Sequence, residues 1–164
     1  MKWVFLVYKV PSHPTSKRVY VWRKLKKMDA VPLQDAVFIL PWSEKALEQF
    51  QWLAAEILEM KGDATVWESY AASPRQEEDL VRKFTENVNA RYQALEDELD
   101  AFNAKTMPNE RKSRLSRLIA EFMDIRYHDH FRSEKIVPIE RRLEELTRSL
   151  RKQEVDRPLV EENQ

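Results

Sequence analysis

Cysteine is absent from the 164 residues, and glycine occurs once, at Gly62. Without cysteine there are no disulfides, thiolate metal ligands or cysteine nucleophiles, and nothing in the composition points to an oxidising compartment. One glycine, against an ordinary usage of about 7%, excludes the glycine-rich phosphate loops and dinucleotide fingerprints, whose close backbone approaches need several. No stretch reaches the ~18 consecutive apolar residues of a membrane span. The opening MKWVFLVYKVP imitates a signal peptide, but its apolar run is short, Lys9 interrupts it, and no small-residue cleavage site follows. It reads as a strand of a cytoplasmic protein without a membrane partner. Net charge is missing too, since 28 Lys+Arg balance 28 Asp+Glu. Affinity for nucleic acid can then come only from local clusters.

What is present divides the chain in two. Trp3, Val4, Phe5, Val7, Tyr8 and Val10 make residues 2–10 a central strand covered on both sides. A helix capped by Thr15 or Ser16 runs to about Met28, with Val21, Trp22, Leu25 and Met28 on its buried side. Pro32 and Asp35 bracket a strand or bent hairpin over 31–40, which Pro41 ends. Ser43 caps a second helix with Leu47, Phe50, Leu53, Ala54, Ile57 and Met60 as its stripe. Gly62 is expected to close it in the left-handed conformation. DATVWESY is one more strand.

From Ser73 the character changes. Ser73-Pro74-Arg75-Gln76 is a capping box with proline at the first helical position. Leu80, Phe84, Val88, Tyr92, Leu95, Leu99 and Phe102 then recur at steps of three and four, a coiled-coil-like seam. KTMPNE turns the chain into a return helix with Leu115, Leu118, Phe122 and Ile125. After a break around 128–137, Ile139, Leu143, Leu146 and Leu150 follow at helical spacing. The expected class is α+β: a ferredoxin-like α/β sandwich over 1–72, a long antiparallel helical hairpin over 73–153, and a disordered acidic tail over 154–164. A homodimer through the open face of the sheet is expected.

Two clusters of charge could carry function. Six cations and no acid stand between Ser16 and Met28. Helical spacing lines up Lys17, Tyr20, Lys24 and Lys27 on one face with Arg23 beside them. The stripe is either a phosphate-backbone contact for DNA or the solvated face of an amphipathic helix. Arg111, Lys112, Arg114 and Arg117 open the return helix, where cations oppose the macrodipole. Either they hold an anion with the helix N–H groups or they pair with EDELD (96–100) across the hairpin. DIRYHDHF holds two histidines, but their spacing does not suit one helix face, so a solvated helix end is preferred and no metal is expected. Besides Trp3, the tryptophans Trp22, Trp42, Trp52 and Trp67 read as core or dimer-interface anchors. No Ser/His/Asp or metal-carboxylate arrangement stands out, and neither catalysis nor a cofactor is expected.

LVYKVPSHPTSKRVYVWRKLKKMDAVPLQDAVFILP, followed by EQFQWLAAEILEMKGDATVW, closely resembles the N-terminal domain of the chromate-resistance regulator ChrB. The resemblance rests on Tyr8, Lys9, Val10, Pro11, Ser16, Arg18, Val21, Trp22, Arg23 and Leu25, then on Gln34, Asp35, Phe50, Trp52 and Leu53. It implies a non-catalytic, chromate-associated transcriptional regulator that binds DNA; the expectation built on it is that Lys9, Arg18 and the basic helix engage DNA, chromate or another oxyanion, with Asp35 as an orienting partner. Regulators of that family usually carry a second, C-terminal domain, and this sequence stops after the helical part. The alternative is therefore a scaffold that pairs with a separately encoded C-terminal-domain partner. A looser similarity leads to the ferredoxin-like nucleases of CRISPR adaptation and to phenylacetate-pathway repressors. Where the nucleases place a metal-binding Asp at the end of the first strand, this sequence has Lys9, which repels a metal and suits an anion.

Overall fold

The computed structural model describes residues 1–102, 107 and 109–155. In chain order the elements are β1 (Lys2–Lys9), α1 (Thr15–Lys27), β2 (Val31–Gln34), β3 (Val37–Pro41), α2 (Glu44–Glu59), β4 (Asp63–Tyr70), α3 (Pro74–Asp100), α4 (Arg111–His128) and α5 (Ile136–Val155). The class is α+β. Two compact units, Met1–Phe84 and Thr85–Gln164, meet at a boundary inside α3. Residues 103–106 and 108, which include half of the KTMPNE turn, and residues 156–164 of the acidic tail lie outside the described residues, and α5 is helical through Val155.

In the first unit the strands form one sheet in the order β2-β3-β1-β4, every neighbouring pair antiparallel. Two strand-helix-strand segments are thereby interleaved, with β3 between β1 and β2, and β1 between β3 and β4. The apolar run of β1 is what a central strand requires. Trp3 and Val4 point to opposite faces and both are fully buried. Val4 and Leu6 pair with Leu40 and Phe38, while Trp3 pairs with Pro41 and stacks on Phe84 with ring centroids 5.7 Å apart. The 31–40 region is a hairpin turning at Asp35-Ala36, with a register shift between Pro32 and Gln34. Pro32 has no N–H to give the ladder, and it sits on the edge strand, where that costs least.

Helix ends depart from expectation in two places. Neither Thr15 nor Ser16 caps α1: Pro14 holds the N-cap position, extended at φ −70° and ψ 149°, without a side-chain hydrogen bond. Both hydroxyl residues already lie inside the first turn, too late to serve. Gly62 is not the left-handed residue after α2 either. Lys61 takes that conformation, at φ 64°, and no glycine has positive φ. The bonds Lys61 N–H to Leu58 O (3.0 Å) and Gly62 N–H to Ile57 O (2.9 Å) complete a Schellman end. Glycine is required there for another reason, since an added Cβ would stand 2.5 Å from Lys9 O and 2.8 Å from Ile57 Cγ2. Asp29, at φ 53°, ends α1 in the same way.

Ser43 does cap α2, its Oγ accepting from Ala46 N–H at 3.0 Å. Ser43→Ala is expected to lower unfolding free energy by about 1 kcal/mol, read as a shift of the urea midpoint at constant slope. On α3, Ser73 Oγ accepts from Gln76 N–H at 3.2 Å. The Gln76 side chain reaches back to Ala72 N–H at 3.1 Å, one residue earlier than the usual reciprocal bond.

All seven seam residues from Leu80 to Phe102 are buried. Leu80 and Phe84 belong to the first unit. In the second, Val88, Tyr92, Leu95, Leu99 and Phe102 share one cluster with Leu115, Leu118, Phe122 and Ile125 of α4 and Ile139 and Leu143 of α5. The break between α4 and α5 is organised by Asp129, whose Oδ2 accepts from Tyr92 Oη (3.3 Å) and Ser133 N–H (2.8 Å). Burial first, and then the Asp129 charge, push the Tyr92 phenol far above its ordinary value. Among the described residues no helix is long and apolar enough to cross a membrane.

Candidate functional site

Three pieces of the first unit converge at the end of β1. Tyr8, Lys9 and Val10 come from the strand and the residue after it, Arg18, Val19 and Trp22 from α1, and Asp35 and Ala36 from the β2–β3 turn. A backbone bond from Tyr8 N–H to Ala36 O (3.0 Å) ties the turn to the strand. Together these residues enclose an open cavity of about 500 Å³. Arg18 and Trp22, one helical turn apart, share a face of α1. Trp22 is 53% exposed, so the expectation that it joins Val21 and Leu25 in the core is corrected. Its indole is a wall of the cavity.

The electrostatics of this cavity are positive and uncommitted. Neither Lys9 nor Arg18 makes an ion pair among the described residues, and Asp35 lines the same cavity without pairing to Lys9. Tyr8 is half-buried, its ring 6.0 Å from that of Phe38. Burial raises its phenol above the ordinary tyrosine value, and the Arg18 charge pulls it partly back. A phenol raised in the folded state contributes stability that is intact below pH ~10 and is lost as pH rises through the folded value. Arg18→Gln removes the counteracting charge, so the Tyr8 titration is expected to move further up. Absorbance titration at alkaline pH checks this, with Tyr8→Phe assigning the transition. A Tyr8 transition that stays in place would show that Arg18 does not face it.

The basic stripe of α1 is only partly free. Lys17 Nζ donates to Met60 O at 2.9 Å, serving the C-terminal end of α2, where a cation is favoured. Tyr20 Oη donates to Glu56 Oε1 at 3.1 Å, and Lys24 Nζ lies 4.0 Å from the same oxygen and 5.4 Å from the Tyr20 ring centroid. These three residues join α1 to α2. Arg23 and Lys27 are exposed, as is Lys26, which lies 5.6 Å over the Trp22 ring and was absent from the expected set.

In the second unit Arg117 bonds Glu98 at 2.6 Å, and Arg114 lies 5.8 Å from the Phe102 ring centroid. Arg111 Nε is buried with no hydrogen-bond partner among the described residues. Elsewhere in the acidic run Glu96 pairs with Lys135 (2.5 Å) and Asp100 with Arg142 (2.7 Å). Among the described residues no three His, Asp or Glu side chains are grouped to hold a metal. His128 Nδ1 lies 2.9 Å from Asp124 O of its own helix. Trp3 alone of the five tryptophans is buried. Trp42, Trp52 and Trp67 are exposed, which removes the core alternative of their expected role and leaves the interface one. Trp42 is held by Glu68 (2.5 Å) and by Lys2 over its ring at 4.7 Å.

Tyr8, Val10, Val19 and Ala36 had no expected role in a site, although the one-turn spacing of Arg18 and Trp22 is a signal that the sequence does carry. No curated protein and no solved structure matches the chain significantly. The family model described as "Protein ChrB, N-terminal" matches residues 18–156, a span that includes Arg18, Trp22 and Asp35 and begins after Tyr8 and Lys9. With most of its length inside that match, the chain belongs to the ChrB N-terminal family.

Proposed function

We propose that the chain is a cytoplasmic, non-catalytic regulator of the ChrB type, associated with chromate resistance, that holds a tetrahedral oxyanion between Lys9 and Arg18 and meets DNA phosphates with the exposed cations of α1. The observation that carries this reading is the meeting of two unpaired cations from separate elements on one open cavity of about 500 Å³. An anion there gains from both charges, and a guanidinium fork matches two of its oxygens. Lys9 at the strand end supports the non-catalytic part, since metal-dependent hydrolysis needs an acidic ligand. Lys26, which lies over the Trp22 wall of the cavity, and Arg23 and Lys27, exposed on the same helix, offer phosphate contacts. The interleaved strand-helix-strand order supports a ferredoxin-like sandwich. Arg91–Asp124 and Glu98–Arg117, which advance along α3 as they retreat along α4, support an antiparallel helical hairpin.

Two titrations test this. Calorimetry with chromate is expected to show binding that Lys9→Ala and Arg18→Ala each weaken by about tenfold or more. Fluorescence anisotropy of a promoter-length duplex is expected to show affinity that falls steeply between about 50 and 200 mM salt, is reduced by Arg23→Ala and Lys27→Ala, and is relieved by chromate. Chromate binding without DNA affinity would favour pairing with a separate C-terminal-domain partner. Absence of both would overturn the reading.

A further inference from the structure

Between α4 and α5 of the second unit runs a groove of about 520 Å³. Phe122 and Leu143 form its floor, and Met123, 55% exposed, its apolar edge. Along α5 the groove is bordered by Glu140, Glu144, Arg148 and Arg151, at spacings of four, four and three. Such steps keep all four on one side of the helix, acids toward the N-terminus and bases toward the C-terminus. Glu140 already bonds Arg126 of α4 at 2.7 Å. Glu144 and Arg148, one turn apart, form no ion pair among the described residues, and neither does Arg151.

A row of acids followed by bases is complementary to itself when a second copy lies antiparallel. A two-fold axis near Leu146 sets Glu144 against Arg148 of the other copy and brings Glu140 to within one residue of the level of Arg151. A partner of one charge sign would satisfy only half the row and repel the rest. An isologous dimer satisfies both halves twice, and covers Met123 and the apolar floor. We propose that this groove is a homodimer interface, with α5 packed antiparallel on α5 of a second copy about an axis at Leu146. The dimer does not depend on the anion site of the first unit.

Sedimentation velocity of the full chain across the micromolar range tests it, using Glu144→Arg and Arg148→Glu. Both positions are exposed, and both variants are expected to keep the wild-type helical circular dichroism. Each alone opposes like charges at both ends of the interface and is expected to raise the dimer dissociation constant about tenfold or more. An equimolar mixture of the two restores opposite charges at each contact and is expected to recover a heterodimer near wild-type strength. A wild-type chain that stays monomeric throughout overturns the proposal. So do two variants that both dimerise like wild type, or a mixture that fails to recover.

Discussion

Trp3→Ala is expected to lower the unfolding free energy of the first unit by about 3–5 kcal/mol, the usual cost of truncating a fully buried large aromatic. Trp3 has no exposed surface, sits in the central strand of the sheet and stacks on Phe84. Removing the indole forfeits its burial and leaves a cavity between Phe84 and the sheet that neither rigid neighbour can fill. Denaturant unfolding followed by far-ultraviolet circular dichroism checks the magnitude. Trp3→Phe, which keeps an aromatic ring at this position, is expected to lose much less. Phe84→Ala should be destabilising as well, and the double variant should cost less than the sum of the two, because both remove the same contact. Strict additivity would mean that the stacking contributes nothing beyond burial.

Gly62→Ala is expected to cost about 1–3 kcal/mol through overpacking and to weaken whatever binds beside Lys9. The new methyl would stand 2.5 Å from the Lys9 carbonyl and 2.8 Å from Ile57 Cγ2. Ile57 Cγ2 is a branch methyl held on Cβ, and Ile57 O stands 3.1 Å away, so the α2 side has little room to give. The carbonyl belongs to backbone paired with Asp63 of β4, so relief of the clash displaces the residue that supplies one of the two cations of the cavity. A contrasting substitution one residue earlier separates this cause from helix capping. Lys61→Gly places glycine where φ is actually positive, at 64°, and is expected to leave stability unchanged or to raise it by up to about 1 kcal/mol. If Gly62→Ala were silent in unfolding experiments, the close approach to Lys9 would be wrong.

By itself the sequence determined the elements and much of the core. The apolar run from Trp3, the Ser43 cap, the DATVWESY strand and the three-and-four spacing from Leu80 to Phe102 are local patterns, and local sterics and burial act on them without regard to distant residues. Only the tertiary structure decided which residues meet. Periodicity shows that one side of α1 is buried but does not fix the edges of that side. It could not assign Trp22 to the cavity wall, nor show that Lys17, Tyr20 and Lys24 are occupied by α2. Gly62 was legible as a helix stop, yet its need for glycine comes from a carbonyl more than 50 residues away in sequence. The joining of Lys9, Arg18 and Asp35 on one cavity likewise depends on where strand, helix and turn come to lie, because charges become a site only when the chain's long-range contacts set them within a few ångströms of one volume.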